Sequence, residues 1–358
     1  MRFANGNEKD MKLPPLKIRG LEARYPVIQA GMGCRIGMAD LASAVVNCGG
    51  FGTIASVGIG DLERGKTHFV DECNTNLALE LKKARALCGG KKNLGVNVMV
   101  ALSNYEELVR TAVAAGADYI ISGAGLPLPE YVGDADVALI PVISSGRAFE
   151  VVVKTWLRKY QRKPDAVIIE GPRCGGHLGF TMEMIEHPET CSLDILLKDV
   201  KTVIAKYGLD GLPVLAAGEV CCRADIENFL KMGYDGVQIG TYFITTEEAW
   251  IDPRSKQVFI DAAADDIVVI KSPVGLPVRV LKTPLVERVL SGNREQFKCP
   301  YRCLRTCNPA QSLFCIAQAL IATWRGDVEH GLYMVGSNVE ACRKIFPVKE
   351  FFDTLAGE

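Results

Sequence analysis

Eight short apolar runs, each halted by Gly, Ser or Pro, limit what this chain can fold into more than any other feature. They are PVIQAG (26–31), GFGTIAS (50–56), NLGVNVMV (93–100), DYIISGAG (118–125), ALIPVISS (138–145), DAVIIEG (165–171), PVLAAGE (213–219) and GVQIGTYF (236–243). Between most of them lie helical patterns, at 40–47, 74–87, 105–115, 147–158, 193–207 and 223–232. The gap after the fourth run leaves room for only a turn or two of helix. Strands apolar on both faces and alternating with helices imply a parallel sheet covered by helices. Eight such units fit a (β/α)8 TIM barrel of about 250 residues. An open doubly wound sheet is the rival, but no GxGxxG fingerprint follows the first run.

After Phe243 the pattern changes. Residues 251–309 are rich in Pro, Lys, Arg and Cys, and SLFCIAQALIATW (312–324) then reads as a buried helix. A further helical segment is expected at 339–355. The expected architecture is therefore a barrel built from 13–250 and 310–358, with a smaller lid excursion, 251–309, after the eighth strand. Such an excursion leaves from the catalytic face of a barrel and would cover its mouth.

Charge narrows the function. Lys plus Arg is 41 and Asp plus Glu is 42, a net charge of −1, so no basic excess exists to neutralise nucleic-acid phosphates. No run approaches the ~20 apolar residues of a membrane helix. The opening MRFANGNEKDMKLPP holds neither an apolar stretch nor a cleavage site. Thirteen cysteines in such a chain read as reduced thiols of a cytoplasmic protein. The partner expected is a small-molecule substrate, and helices outside a barrel leave a homodimer open.

Catalytic groups of a barrel sit at the C-terminal ends of its strands, and the loops after the seventh and eighth commonly bind phosphate through backbone N–H groups. Here those ends are Gly218 and Gln238-Ile239-Gly240-Thr241, where glycine admits an anion and Thr241 adds a hydroxyl. A phosphate there suggests FMN or a phosphorylated substrate. Of four histidines, His177 stands apart, in EGPRCGGHLG directly after the sixth strand. Imidazole is suited to proton transfer near neutral pH. Cys174 flanks it. His68, His187 and His330 lie in helical or surface-like contexts and read as structural.

In this order, PVIQAGMG, GGFGTIAS, GVNVMV, GAGLP, EGPRCGGHLG, PVLAAG and DGVQIGT resemble the nitronate monooxygenase (2-nitropropane dioxygenase) family and its relatives, the FMN-dependent enoyl-acyl-carrier-protein reductases II. The likeness resumes in SPVGLPVR (272–279). It implies a TIM-barrel flavoprotein, a monooxygenase-type oxidoreductase with one non-covalent FMN. By that resemblance Gly31 and Met32 lie against the flavin and Asn97 bonds its ring. Glu170 and Gly176 border the ring or ribityl chain, and Gly218, Gln238, Gly240 and Thr241 hold the phosphate. His177 falls on the active-site histidine. The activity implied is oxidation of alkyl nitronates with O2. The alternative is an NAD(P)H-dependent reductase of the enoyl-ACP reductase II type, and a non-catalytic flavin binder is a third reading. One departure is Glu219, where the family has a second glycine. It must point away, pair with a cation such as Arg223, or mark an altered phosphate site.

Cys299, Cys303, Cys307 and Cys315 crowd one stretch, CPYRCLRTCNPAQSLFC. Four thiolates could hold an iron–sulfur cluster or a zinc ion. The spacing lacks the CxxC that usually opens a zinc site, which puts iron–sulfur first. Pro300 and Asn308-Pro309 favour a loop that folds around a metal. Reduced cysteines filling a lid as small apolar side chains are the plainer alternative.

Overall fold

Each of the eight apolar runs forms a strand in the computed structural model, which describes residues 11–60, 65–299 and 301–356. A hairpin absent from the sequence reading comes first, β1 (Leu16–Ile18) and β2 (Leu21–Ala23). The barrel then runs β3 (Val27–Gln29), β4 (Gly52–Ala55), β5 (Leu94–Asn97), β6 (Tyr119–Ser122), β7 (Ala138–Ile143) and β8 (Val167–Glu170). A two-residue strand, β9 (Gly176–His177), interrupts the series before β10 (Val214–Ala217) and β11 (Gly236–Ile239). The parallel order is β3-β11-β10-β8-β7-β6-β5-β4. Gln29 N–H to Phe51 O (2.9 Å) and Phe51 N–H to Val27 O (3.0 Å) join the two ends and close the barrel.

Aspartates fix the lower rim. Asp118, Asp165 and Asp235 each precede a strand, and each accepts a hydrogen bond from an N–H at the start of a neighbouring one, Leu94 (2.9 Å), Leu139 (2.8 Å) and Val214 (2.8 Å). The helices follow equally local rules. In Gly146–Tyr160 the Ser145 hydroxyl accepts from Ala148 N–H at 3.1 Å, and Gln161 ends the helix at φ 50°. Phe149, Val152, Val153 and Trp156 form its buried stripe, and the Trp156 indole donates to Pro127 O at 2.7 Å. After β6 only one 3-10 turn intervenes, Pro129–Tyr131. In the second helix, helical turns begin at Gly65, not at 74, and kink at His68, whose φ −132° and ψ 47° are not helical. Its opening turns are too polar to show a period, and only Cys73, Leu77, Leu81 and Ala84 betray the buried face.

The excursion is more regular than its composition suggests. Helix Pro253–Asp261 leads into an antiparallel pair, β12 (Ile267–Lys271) and β13 (Pro277–Leu281), then helix Pro284–Leu290 and the first part of the cysteine loop, after which helix Ile316–Trp324 resumes the barrel segment. The expected helix at 339–355 is two pieces, a 3-10 turn at Val339–Ala341 and a helix at Val348–Leu355. Pro347 sits at the N-cap of the latter, where a residue without an N–H begins a helix but cannot continue one. Among the described residues no helix is long and apolar enough to cross a membrane.

Candidate active site

At the C-terminal mouth of the barrel lies a cavity of about 920 Å3, and all ten residues singled out for catalysis or cofactor binding line it. Strand register does much of the gathering. Glu170 pairs with Ala217, and Ala217 with Gln238, so Glu170 and Gln238 end their strands level with each other. Gly31 backs directly onto Asn97: a Cβ at Gly31 would sit 2.3 Å from Asn97 Cβ, so any side chain there would displace the amide.

His177 is placed by the excursion rather than by its own strand. The strand β9 pairs with β13, with Val278 opposite His177 and Arg279 opposite Gly176, and Leu178 N–H donates to Pro277 O at 2.8 Å. His177 Nε2 lies 2.8 Å from Ser272 Oγ, which also accepts from Val274 N–H at 3.2 Å. Enclosure by protein lowers the imidazole pKa to about 4, because burial disfavours its charged form. At neutral pH it is an uncharged ring, able to take a proton. Burial acts oppositely on Glu170, whose carboxyl is pushed up to about 8 and is therefore protonated at pH 7.

Cys174 is a buried donor, its thiol bonded to Ala217 O at 2.9 Å. Burial raises its pKa well above the ordinary thiol value, so its environment is that of an inert cysteine. His68, His187 and His330 lie outside the cavity lining.

Glu219 adopts φ 58°, the left-handed conformation that a glycine would take without strain. Its cation is Arg173, at 3.2 Å, and Ser337 Oγ donates to the same oxygen at 3.2 Å. Arg223 opens a helix and pairs with Glu227 one turn on, at 2.8 Å, with further bonds to Leu355 O and Met11 O. That occupies its fork and leaves Glu219 to Arg173. Beneath the same loop, buried Arg279 donates to Pro172 O (2.9 Å) and Cys174 O (2.6 Å), and Glu219 is among the charges acting on it. Two guanidiniums therefore outweigh one carboxylate at this end. Thr241 Oγ1 accepts from Gly336 N–H at 2.9 Å, which draws the segment after the lid into the site.

Sequence reasoning assigned no role to Ser272, Arg279, Arg173 or Gly336. Ser272 and Arg279 bound the SPVGLPVR stretch, and their regular appearance beside an otherwise apolar turn was the available signal. The opposite end of the cavity is apolar, walled by Phe69, Met99, Leu126, Leu304, Ile316 and Leu320. Of the four lid cysteines, Cys303 lines the cavity. All four are free thiols, and no three of their sulfurs fall within 4.8 Å of one another. Pro300 lies outside the described residues.

A family model described as nitronate monooxygenase matches residues 15–358. The chain is 30% identical over 287 residues to a 5-hydroxy-7a-methyl-1-oxo-octahydro-1H-indene-4-carboxyl-CoA dehydrogenase of Mycobacterium tuberculosis, covering 79% of this chain and 70% of that one. It is 23% identical to a probable nitronate monooxygenase of Staphylococcus saprophyticus, over 78% of this chain and 81% of the other. Among solved structures, FabK from Thermotoga maritima superposes with a TM-score of 0.70 at 25% identity, covering 93% and 92% of the two chains. The nitroalkane oxidase of Streptomyces ansochromogenes shares the fold at a TM-score of 0.71 and 21% identity, over 94% and 96%.

Proposed function

Because the chain belongs to the nitronate monooxygenase family, a family of flavin-dependent oxidoreductases, we propose that its cavity binds FMN beside an apolar substrate and that His177 handles the proton. The residues present fit that cofactor. The bare backbone of Gly31 against Asn97 leaves a flat approach. Gly218, Gly240 and Thr241 offer backbone and hydroxyl donors, and Arg173 with Arg279 supplies the positive balance a phosphate requires. Asn97 and Gln238 would hold the ring and its chain, with Met32, Glu170 and Gly176 bordering them. FMN supplies the hydride and electron exchange that no side chain can perform.

The protein's own contribution is orientation and proton transfer. In the tautomer where Nε2–H of His177 donates to Ser272 Oγ, at 2.8 Å, Nδ1 is the basic nitrogen. Among the described residues Nδ1 has no hydrogen-bond partner. Neutral Glu170 can donate a hydrogen bond into the cavity where a carboxylate could only accept one.

The size and lining of the cavity support one substrate class over the other. A volume of about 920 Å3 stands near the upper end for ligand pockets, and its far wall is hydrocarbon. That favours NAD(P)H-linked reduction or dehydrogenation of a bulky apolar acyl compound. The similarity to an acyl-CoA dehydrogenase supports the same class. Nitronate oxidation with O2 is the second reading, favoured by the free basic nitrogen of His177, which could take a proton from the carbon next to a nitro group.

An anaerobic absorption titration tests both. Flavin that is bleached by NADH or NADPH and reoxidised by an enoyl thioester supports the first reading. Flavin indifferent to both nucleotides but reduced by a nitronate selects the second. A chain that binds no flavin overturns the proposal.

A further inference from the structure

We propose that Cys299, Cys303, Cys307 and Cys315 bind a four-iron, four-sulfide cluster in the lid, on the wall of the cavity. The loop that carries them is pinned at several points. Ser103 N–H donates to Cys303 O at 3.0 Å, Arg305 N–H to Ala101 O at 3.0 Å, and Leu102 bridges Leu304 in antiparallel fashion. Thr306 Oγ1 reaches Val274 O at 2.9 Å, and the Gln318 amide holds Lys298 O at 2.8 Å. The chain thus doubles back on itself, bringing its four thiols into one neighbourhood. Cys307 Sγ lies 3.6 Å from Ser312 Oγ, Glu295 N–H donates to Leu313 O at 2.8 Å, and Cys303 shares the cavity wall with Ile316, the residue after Cys315. No disulfide joins the four, so each sulfur is available as a ligand.

Spacing weighs against zinc. A tetrahedral zinc site with Zn–S bonds of about 2.3 Å holds its sulfurs roughly 3.8 Å apart, whereas no three of these sulfurs fall within 4.8 Å of one another. A four-iron cluster spreads its thiolates over a wider cage. Charge agrees, since the cluster with four thiolates is an anion. From 296 to 326 the sequence has no Asp or Glu, while Lys298, Arg302, Arg305 and Arg325 supply cations. Cys315 stands at the N-cap of helix Ile316–Trp324, the end of a helix whose dipole favours an anion such as a cluster thiolate.

Two other groupings explain themselves without a metal. Cys221, Cys222 and Asp225 lie within 4.8 Å of one another, but Asp225 Oδ2 there accepts from both backbone N–H groups to cap a helix. Cys34 and Cys73 are fully buried in the same apolar cluster against which Cys303 and Cys307 pack.

The test is the iron, acid-labile sulfide, zinc and flavin content of the full-length protein purified without oxygen, with electron paramagnetic resonance after dithionite. About four irons and four sulfides per chain are expected, with a signal that appears on reduction. Cys303→Ser and Cys307→Ser should each lose most of the iron, whereas Cys34→Ser keeps it. Wild-type protein without iron, or with zinc in its place, overturns the proposal, as does a Cys307→Ser variant with full iron. The wild-type stoichiometry decides even if a variant fails to fold. Flavin is counted in the same samples, so the cluster and the flavin assignment stand or fall separately.

Discussion

The two ends of the cavity are built by different means. At one end, Gly218–Glu219 and Gly240–Thr241 present backbone groups on the tips of β10 and β11, whose positions follow from strand pairing. At the other, Leu304 from the lid, with Ile316 and Leu320 from the helix that follows it, presents hydrocarbon, positioned by contacts between distant loops. A backbone end suits a cofactor, which must be held in one place. An apolar end on a lid suits a substrate, whose shape can vary as the lid varies. His177 belongs to both, since it follows β8 but is fixed by pairing with β13.

The largest effect is expected at that joint. His177→Ala should lower turnover by about 10²–10⁴-fold, the usual contribution of a positioned proton-transfer group, while flavin absorption stays unchanged. Turnover within a factor of three of wild type would remove His177 from the chemistry. Loss of flavin together with activity would make it part of the backbone end alone.

Next in size is the pH profile of kcat/KM. His177 must be unprotonated to act as a base, so with its pKa lowered to about 4 the acid limb falls below about pH 4. Glu170 must keep its proton to donate, and with its carboxyl pushed up to about 8 the alkaline limb begins near there. Each limb should fall about tenfold per pH unit. An acid limb near 6.5, the ordinary imidazole value, would mean that the joint is open to water.

The same division explains what the sequence revealed. All eight barrel strands were legible because each is apolar on both faces and ends at a glycine or hydroxyl residue, a signal contained within a few neighbours. The ten cavity residues were legible for the same reason, since they follow those strand ends directly. Pairing across distance was not. Ser272 meets His177 over 95 residues, and nothing in either local stretch announces the other. The cation for Glu219 was sought at Arg223 because it is near in sequence, yet the helical turn gives Arg223 to Glu227 and leaves Arg173, 46 residues away, to do the pairing. The hairpin β1–β2 escaped because three residues per strand are too few to show alternation.

A third, smaller effect sharpens the backbone end. A side chain in the left-handed conformation costs about 1 kcal/mol, and the Glu219 carboxylate cancels one of two cations there. Glu219→Gly relieves both, so FMN affinity should rise about fivefold by fluorescence titration. Weaker binding would instead show that Glu219, held by Arg173 and Ser337, positions the loop for its ligand.

The smallest effect compares thiols at the two ends. Cys222 is exposed, beside the backbone end, and the neighbouring Cys221 thiol lowers its pKa to about 7. The Cys221 proton is correspondingly harder to remove, since its thiol faces Cys222 and Asp225. Cys303 at the lid end is pushed up to about 12 by burial and neighbouring thiols. Only thiolates alkylate, so iodoacetamide should modify Cys222 ahead of the other cysteines, with a rate that reaches half its maximum near pH 7. Cys222→Ser should abolish that fast phase and leave turnover unchanged. Peptide mapping that finds Cys303 labelled first would reverse the ordering of the two ends. It would mean that the lid exposes its thiols in solution, and that the apolar end is the more open of the two.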